Sequence, residues 1–255
     1  MIFYGKQSIN QDDIDAVSDV LKSNFLTQGP KVREFENDLA KYLDVKFSKV
    51  VSNGTAALHL AYLAVGLKKG DVVWTTPNTF VSTANAALYC GATVEFVDVD
   101  PETYNLSIKC LTDKLAKAKN DNKLPKLVVP VHFAGQSCEM KKIWELSQKY
   151  GFKIVEDACH AIGGMYPFDK NNVEEFHVGS CIHSDTSIFS MHPVKTITMG
   201  EGGIVTTNSK SIYEKICEYK NHGMTKNPDK FINKNRAFNK DGKPFPWYYE
   251  MQALG

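Results

Sequence analysis

Residues 190–203 read "SMHPVKTITMGEGG" and set one lysine, Lys195, among small and apolar neighbours instead of the polar ones that usually flank a surface lysine. In such surroundings an amine loses part of its preference for the charged form, and a neutral amine is a nucleophile towards an aldehyde. Three other clusters could do chemistry. "IVEDACHA" ends an apolar run with Glu156, Asp157 and His160, where a carboxylate either caps a turn or pairs with a buried cation. "SNGTAALHL" puts Gly54 and Thr55 where a helical pattern begins; free backbone N–H groups there favour a phosphate, although a plain strand-to-helix turn with a threonine cap reads the same. "TTPNTF" leaves Phe80 near the end of another apolar run, as a core aromatic or as a stacking platform.

Each cluster alone has an ordinary explanation, but together they match one chemistry. Schiff-base chemistry with pyridoxal phosphate needs a lysine for the aldehyde and an acid that keeps the ring nitrogen protonated. It also needs a ring to stack on the pyridine and donors for the phosphate. Lys195, Asp157, Phe80 and the trio Gly54, Thr55 and Ser190 supply those parts.

The rest of the chain must position them. "QDDIDAVSDVLKS" and "KVREFENDLAKYL" carry apolar residues at helical spacing. A short strand in "SKVV" then turns at Asn53–Gly54 into a helix. Strands in "DVVWTTP", "TVEFVDVD", "PKLVVPVHF", "FKIVEDA", "DTSIFS" and "GIVTTN" follow. Helices in "VSTANAALYCG", "SIKCLTDKLAKAK", "MKKIWELSQKYG" and "SKSIYEKICEYKNHG" are interspersed, two of them ending on Gly91 and Gly151. This alternation specifies an α/β fold with a mainly parallel sheet covered on both faces. Sites in such sheets lie at the carboxyl ends of strands, which is where the clusters fall.

Composition excludes several classes. The 255 residues are 43% hydrophobic and 23% charged with a net charge of +1, so neither a nucleic acid nor a membrane surface is an expected partner. The opening "MIFYGKQSINQDDID" has no basic segment followed by an apolar one, so no signal peptide is expected. The six cysteines form no C-x-x-C pair and read as reduced, mostly buried thiols. His177 and His183 in "HVGSCIHSD" have no third ligand near them, so no metal is expected. Residues 224–243 hold six Lys/Arg and two Asp, as a solvated loop or as one that meets a diphosphate.

The combination "NGTAALHLA", "EDACHAIGG" and "FSMHPVKTITMGEGGIVTTN" resembles the sugar aminotransferases of the DegT/DnrJ/EryC1/StrS family, from about Tyr4 to the last residue. The resemblance implies a fold type I pyridoxal-phosphate enzyme with a seven-stranded, mainly parallel sheet. It implies an N-terminal segment over 1–12 and a cofactor-binding large domain over 13–255. Lys195 matches the lysine that carries the cofactor and later moves the proton. Asp157 matches the partner of the ring nitrogen, and His160 falls where the family has Gln or His beside the ring. Gly54, Thr55 and Ser190 match phosphate contacts, and Phe80 matches the aromatic that covers the ring. Met191 departs from the phenylalanine expected after Ser190, and Asn78 stands where relatives often carry an apolar residue.

The implied substrates are glutamate and a UDP-linked 4-keto-6-deoxy amino sugar, aminated at C4 in the cytoplasm by a homodimer of the complete protein. The family's dehydratases replace the lysine with histidine, so Lys195 argues against that chemistry. Family members run on past the position of Gly255 into a small C-terminal domain, which is therefore expected to be missing here. Trp247, Tyr248, Tyr249, Met251 and Leu254 would then leave an apolar patch facing water. A non-catalytic relative, a transaminase of another nucleotide 4-keto sugar and a fold type I lyase are the competing readings.

Overall fold

The computed structural model describes residues 5–166 and 175–255; Tyr4, where the family resemblance begins, lies outside them. Two helices lead. Helix α1 (Gln11–Lys22) starts at a reciprocal cap: the Asn10 side chain accepts the Asp13 N–H at 3.0 Å, and the Asp13 carboxylate accepts the Asn10 N–H at 2.9 Å. Helix α2 (Pro30–Tyr42) starts on a proline, whose missing N–H is harmless in a first turn.

The sheet follows in alternation with helices: β1 (Phe47–Val51), α3 (Gly54–Ala64), β2 (Val72–Thr75), α4 (Ser82–Tyr89), β3 (Thr93–Phe96), α5 (Ile108–Asn120), β4 (Leu127–Val129), α6 (Met140–Tyr150), β5 (Lys153–Asp157), β6 (Thr186–Ser190), β7 (Gly203–Thr207) and α7 (Lys210–Lys220). A two-stranded pair, β8 (Met224–Thr225) and β9 (Glu250–Met251), encloses the short helix α8 (Lys234–Ala237).

The seven main strands lie in the order β1-β7-β6-β5-β4-β2-β3. The pairs from β6 to β3 are parallel, whereas β7 runs antiparallel to both of its neighbours. The reason is the connection. No helix separates β6 from β7, and strands joined without a crossover pair head to tail. Strand β1 consequently points the same way as β6, so the start of α3 comes to the edge where β5 and β6 end.

Neighbouring strand residues face opposite sides of the sheet. Val73, Val129, Val155, Ile188 and Val205 pack with α3, α4 and α7. Trp74, Val128 and Ile154 pack with α5 and α6 on the other side, and Phe189 and Ile204 pack there with α2. Both faces are covered, which is why the strands read as unbroken apolar runs.

Gly203, the first residue of β7, pairs with Val51 on one side and Ser190 on the other. A Cβ there would run into the Asn53 carbonyl, so only glycine lets β1, β6 and the start of α3 close up. At the far end Trp247, Tyr249, Met251 and Leu254 are exposed, while Tyr248 is half-buried against Phe231 with ring centroids 4.9 Å apart. No helix among the described residues is long and apolar enough to cross a membrane.

Candidate active site

A cavity of about 540 Å³ opens at the carboxyl ends of β5 and β6, beside the starts of α3 and α4. Gly54, Thr55, Phe80, Asp157, His160, Ser190 and Lys195 all line it, so residues up to 141 positions apart (195 − 54) meet in one place.

One end is a ready anion cradle. The Asn53 side chain caps α3 by accepting the Ala56 N–H at 2.8 Å, and its carbonyl takes the Ala57 N–H. Helix geometry leaves the N–H groups of Gly54 and Thr55 without intrahelical partners, at the positive end of the helix dipole. A Cβ on Gly54 would come to 3.0 Å from the Ser190 Cβ and 3.4 Å from its hydroxyl oxygen, so glycine lets the first turn of α3 approach Ser190 closely.

The opposite side carries the amine. Lys195 stands on the 191–202 loop, whose two ends are tied at Met191: the Met191 N–H meets the Gly202 carbonyl, and the Met191 carbonyl takes the Met199 N–H. Met191 is fully buried among α2-side residues, so the departure from phenylalanine keeps an apolar anchor for the loop. Lys195 Nζ lies 2.7 Å from His160 Nε2. Burial and the Lys195 charge hold the His160 pKa below the ordinary histidine value, against an opposing pull from Asp157. The neutral ring therefore presents Nε2 to Lys195 as an acceptor.

Between these ends sits Asp157, almost fully buried at the tip of β5. Its Oδ2 accepts the Thr83 hydroxyl at 2.7 Å and its Oδ1 accepts the Cys159 N–H at 3.2 Å. Burial, and after it the Asp157 charge, push the Cys159 thiol well above its usual pKa, so it stays protonated. Phe80 lines the cavity and is 70% exposed.

Glu156 is not part of this cluster. As the neighbour of Asp157 on a strand it points to the other face, where His132, Tyr166 and Ser184 bond to its carboxylate. His132 Nδ1 accepts the Cys138 N–H at 3.0 Å, which puts the ring's proton on Nε2, towards Glu156 at 2.8 Å. His132 also donates its backbone N–H to the Asp157 carbonyl and so braces the strand tip. His177 packs on Tyr42, and His183 lies near Trp144 and Tyr166. Among the described residues no three His, Cys, Asp or Glu side chains are grouped to hold a metal. No residue of the basic 224–243 loop lines the cavity.

The sequence reading missed Thr79, Thr83, Cys159 and His132. The signal for the first two was the density of hydroxyls after β2, in "TTPNTFVST". His132 looked like an ordinary polar residue at a strand end.

A flat ring with a phosphate tail suits this donor set. The unpartnered N–H groups and the Ser190 hydroxyl suit the phosphate, Asp157 suits a protonated ring nitrogen, Phe80 suits the ring face, and Lys195 suits an aldehyde.

The model of the DegT/DnrJ/EryC1/StrS aminotransferase family matches residues 7–241, and the chain belongs to that family. A UDP-4-amino-4,6-dideoxy-N-acetyl-beta-L-altrosamine transaminase of Campylobacter jejuni subsp. jejuni serotype O:23/36 (strain 81-176) is 45% identical over 226 residues, covering 89% of this chain and 56% of the relative. Among solved structures, Helicobacter pylori PseC, an aminotransferase involved in the biosynthesis of pseudoaminic acid, superposes with a TM-score of 0.81 at 29% identity. That match covers 99% of this chain and 60% of PseC. NtdA of Bacillus subtilis, solved with bound cofactor PMP, matches with a TM-score of 0.70 at 26% identity, over 84% of this chain and 46% of its own. The chain thus spans little more than half the length of the curated relatives it matches.

Proposed function

We propose that this chain provides the pyridoxal-phosphate core of a nucleotide-sugar aminotransferase. The reaction moves an amino group from glutamate to the C4 ketone of a UDP-linked 4-keto-6-deoxy amino sugar. The observation that carries this reading is the convergence of Lys195, His160 and Asp157 with the Gly54–Ser190 cradle in one cavity of a chain from this family. The choice of sugar rests on the 45% identity to the altrosamine transaminase.

Bound there, pyridoxal phosphate supplies the aldehyde that carries the amino group and a ring that takes up electrons from the bond being broken. The residues of the chain do the rest. Gly54, Thr55 and Ser190 hold the phosphate. Asp157 holds a proton on the ring nitrogen, and Phe80 covers the ring and excludes water from one face. His160 Nε2 accepts a hydrogen bond from Lys195 Nζ and so orients the amine, which in its neutral form attacks and later carries a proton between the two reacting carbons.

The test is an assay of glutamate-dependent amination of 4-keto UDP sugars, with borohydride reduction and peptide mapping. A label on Lys195 supports the reading, and a label on another lysine sinks it. Asp157→Asn keeps the volume and removes the charge. Breaking such a buried pair from one side costs roughly 3–5 kcal/mol, so turnover should fall by about two to four orders of magnitude. Near-normal turnover by that variant would leave Asp157 a structural cap.

A further inference from the structure

We propose that Thr83 is the positioning residue that registers the two groups meeting the cofactor ring, Asp157 at its edge and Phe80 on its face; this rests on the pyridoxal-phosphate reading above. Thr83 lies in the first turn of α4 and is fully buried. Its three polar groups are all committed. Its hydroxyl donates to Asp157 Oδ2 at 2.7 Å, across 74 positions of sequence. Its backbone N–H donates to the Phe80 carbonyl at 3.1 Å. Its carbonyl accepts the hydroxyl of Tyr62, itself fully buried, at 2.9 Å.

A second hydroxyl completes the chain. Thr79 Oγ1 lies 2.7 Å from Thr83 Oγ1. The single proton of Thr83 goes to Asp157, so Thr83 Oγ1 accepts here and Thr79 donates. The order Thr79 to Thr83 to Asp157 is thereby fixed, and each bond polarises the next. Thr79 is the chain neighbour of Phe80, so one relay ties the loop that presents the aromatic ring to the carboxylate at the strand tip.

A hydroxyl at this position meets these demands, and the β-branch of threonine holds it in place. Its χ1 is stiff, and turning the hydroxyl away would leave a buried carboxylate oxygen without a donor. Valine has the same shape and lacks the donor. In Thr83→Val the Asp157 side chain would be held only by the longer Cys159 N–H bond, free to turn away from the ring nitrogen.

The experiment titrates pyridoxal phosphate into the wild-type protein and into Thr83→Val, Thr83→Ser and Thr79→Val. It follows the visible absorbance of the bound cofactor across the neutral pH range, with circular dichroism as a check on folding. A hydrogen bond to a charged group is at stake, so Thr83→Val should bind about ten- to a hundredfold more weakly and shift the pH midpoint of the visible band. Thr83→Ser should restore both, and Thr79→Val should move both in the same direction by less. A folded Thr83→Val with wild-type affinity and midpoint overturns the inference, as does a serine variant no better than valine. Should Thr83→Val fail to fold, the half-buried Thr79→Val decides: a shift supports the relay and no shift overturns it. A wild type that takes up no pyridoxal phosphate brings down the proposed function and this inference together. A binding wild type beside an unaffected Thr83→Val brings down this inference alone.

Discussion

Lys195 and His160 lie 2.7 Å apart, and only one of them can carry a full positive charge at that distance without strong repulsion. Burial and the lysine hold the His160 pKa down, so the imidazole stays neutral through the neutral range and Nε2 remains open to the amine. The sign of the pH dependence follows. A base with a depressed folded pKa adds stability above its unfolded value, about 6.5, and that stability is lost as the pH falls below it. The same protonation breaks the contact with Lys195. Attachment of pyridoxal phosphate should therefore slow only on the acid side of the ordinary histidine range. His160→Gln keeps an acceptor but cannot take a proton. Its attachment should stay within about a few-fold of wild type at neutral pH and should lose the histidine-dependent part of the acid limb. Stopped-flow absorbance at a series of pH values measures both, and an unchanged profile would show that protonation of His160 does not control attachment.

At the scale of elements, the chain announces most of its sheet and part of its site. Apolar runs such as "KLVV" and "KIVED" mark strands buried on both faces, and Gly91 and Gly151 stand with positive φ just past α4 and α6 as helix endings require. That Lys195, Asp157, His160, Ser190, Gly54 and Thr55 would lie together was legible because each falls at or shortly after the end of a strand. Thr83 was not, because a threonine in the first turn of a helix looks like a solvated cap until the fold brings Asp157 to it. The segment from β8 to β9 was also opaque; its sequence shows charge, and its order comes from one carboxylate. Glu250 accepts the backbone N–H groups of Ile232 and Asn233 at 2.8 and 2.7 Å, and bonds to Tyr248 and Gln252. Burial alone would raise its pKa, but the two backbone donors, with Gln252 and Tyr248, pull it down to about 2. A carboxylate with a depressed folded pKa stabilises above its unfolded value, about 4.3, and loses that contribution as the pH falls towards about 2. Glu250→Gln should thus loosen residues 226–251 at neutral pH, seen as faster amide exchange there. The gap to wild type should narrow as the pH falls from about 4 towards about 2. Equal exchange in both proteins at neutral pH would show that the aromatic contacts of Phe231 and Tyr248 hold the segment unaided.

For the molecule as a whole, the site is built from the ends of β1, β2, β4, β5 and β6, the first turns of α3 and α4 and the 191–202 loop, so most of it is anchored in the sheet. A ligand seated there should stabilise the entire fold and not a local flap. A ligand that binds only the folded state at a hundred times its dissociation constant adds about 2.7 kcal/mol. For a chain of this size each kcal/mol is worth about 2–4 °C in melting temperature. Pyridoxal phosphate at that excess should accordingly raise Tm by about 5–10 °C, read by circular dichroism or calorimetry. The shift should depend on Lys195. Lys195→Ala keeps the Gly54–Ser190 cradle, so it should retain the part of the shift due to the phosphate and lose the part due to the covalent link. Inorganic phosphate should give wild type and Lys195→Ala the same small shift. If pyridoxal phosphate and inorganic phosphate stabilise both proteins equally, the cavity is only an anion cradle, and the role assigned to Lys195 is wrong.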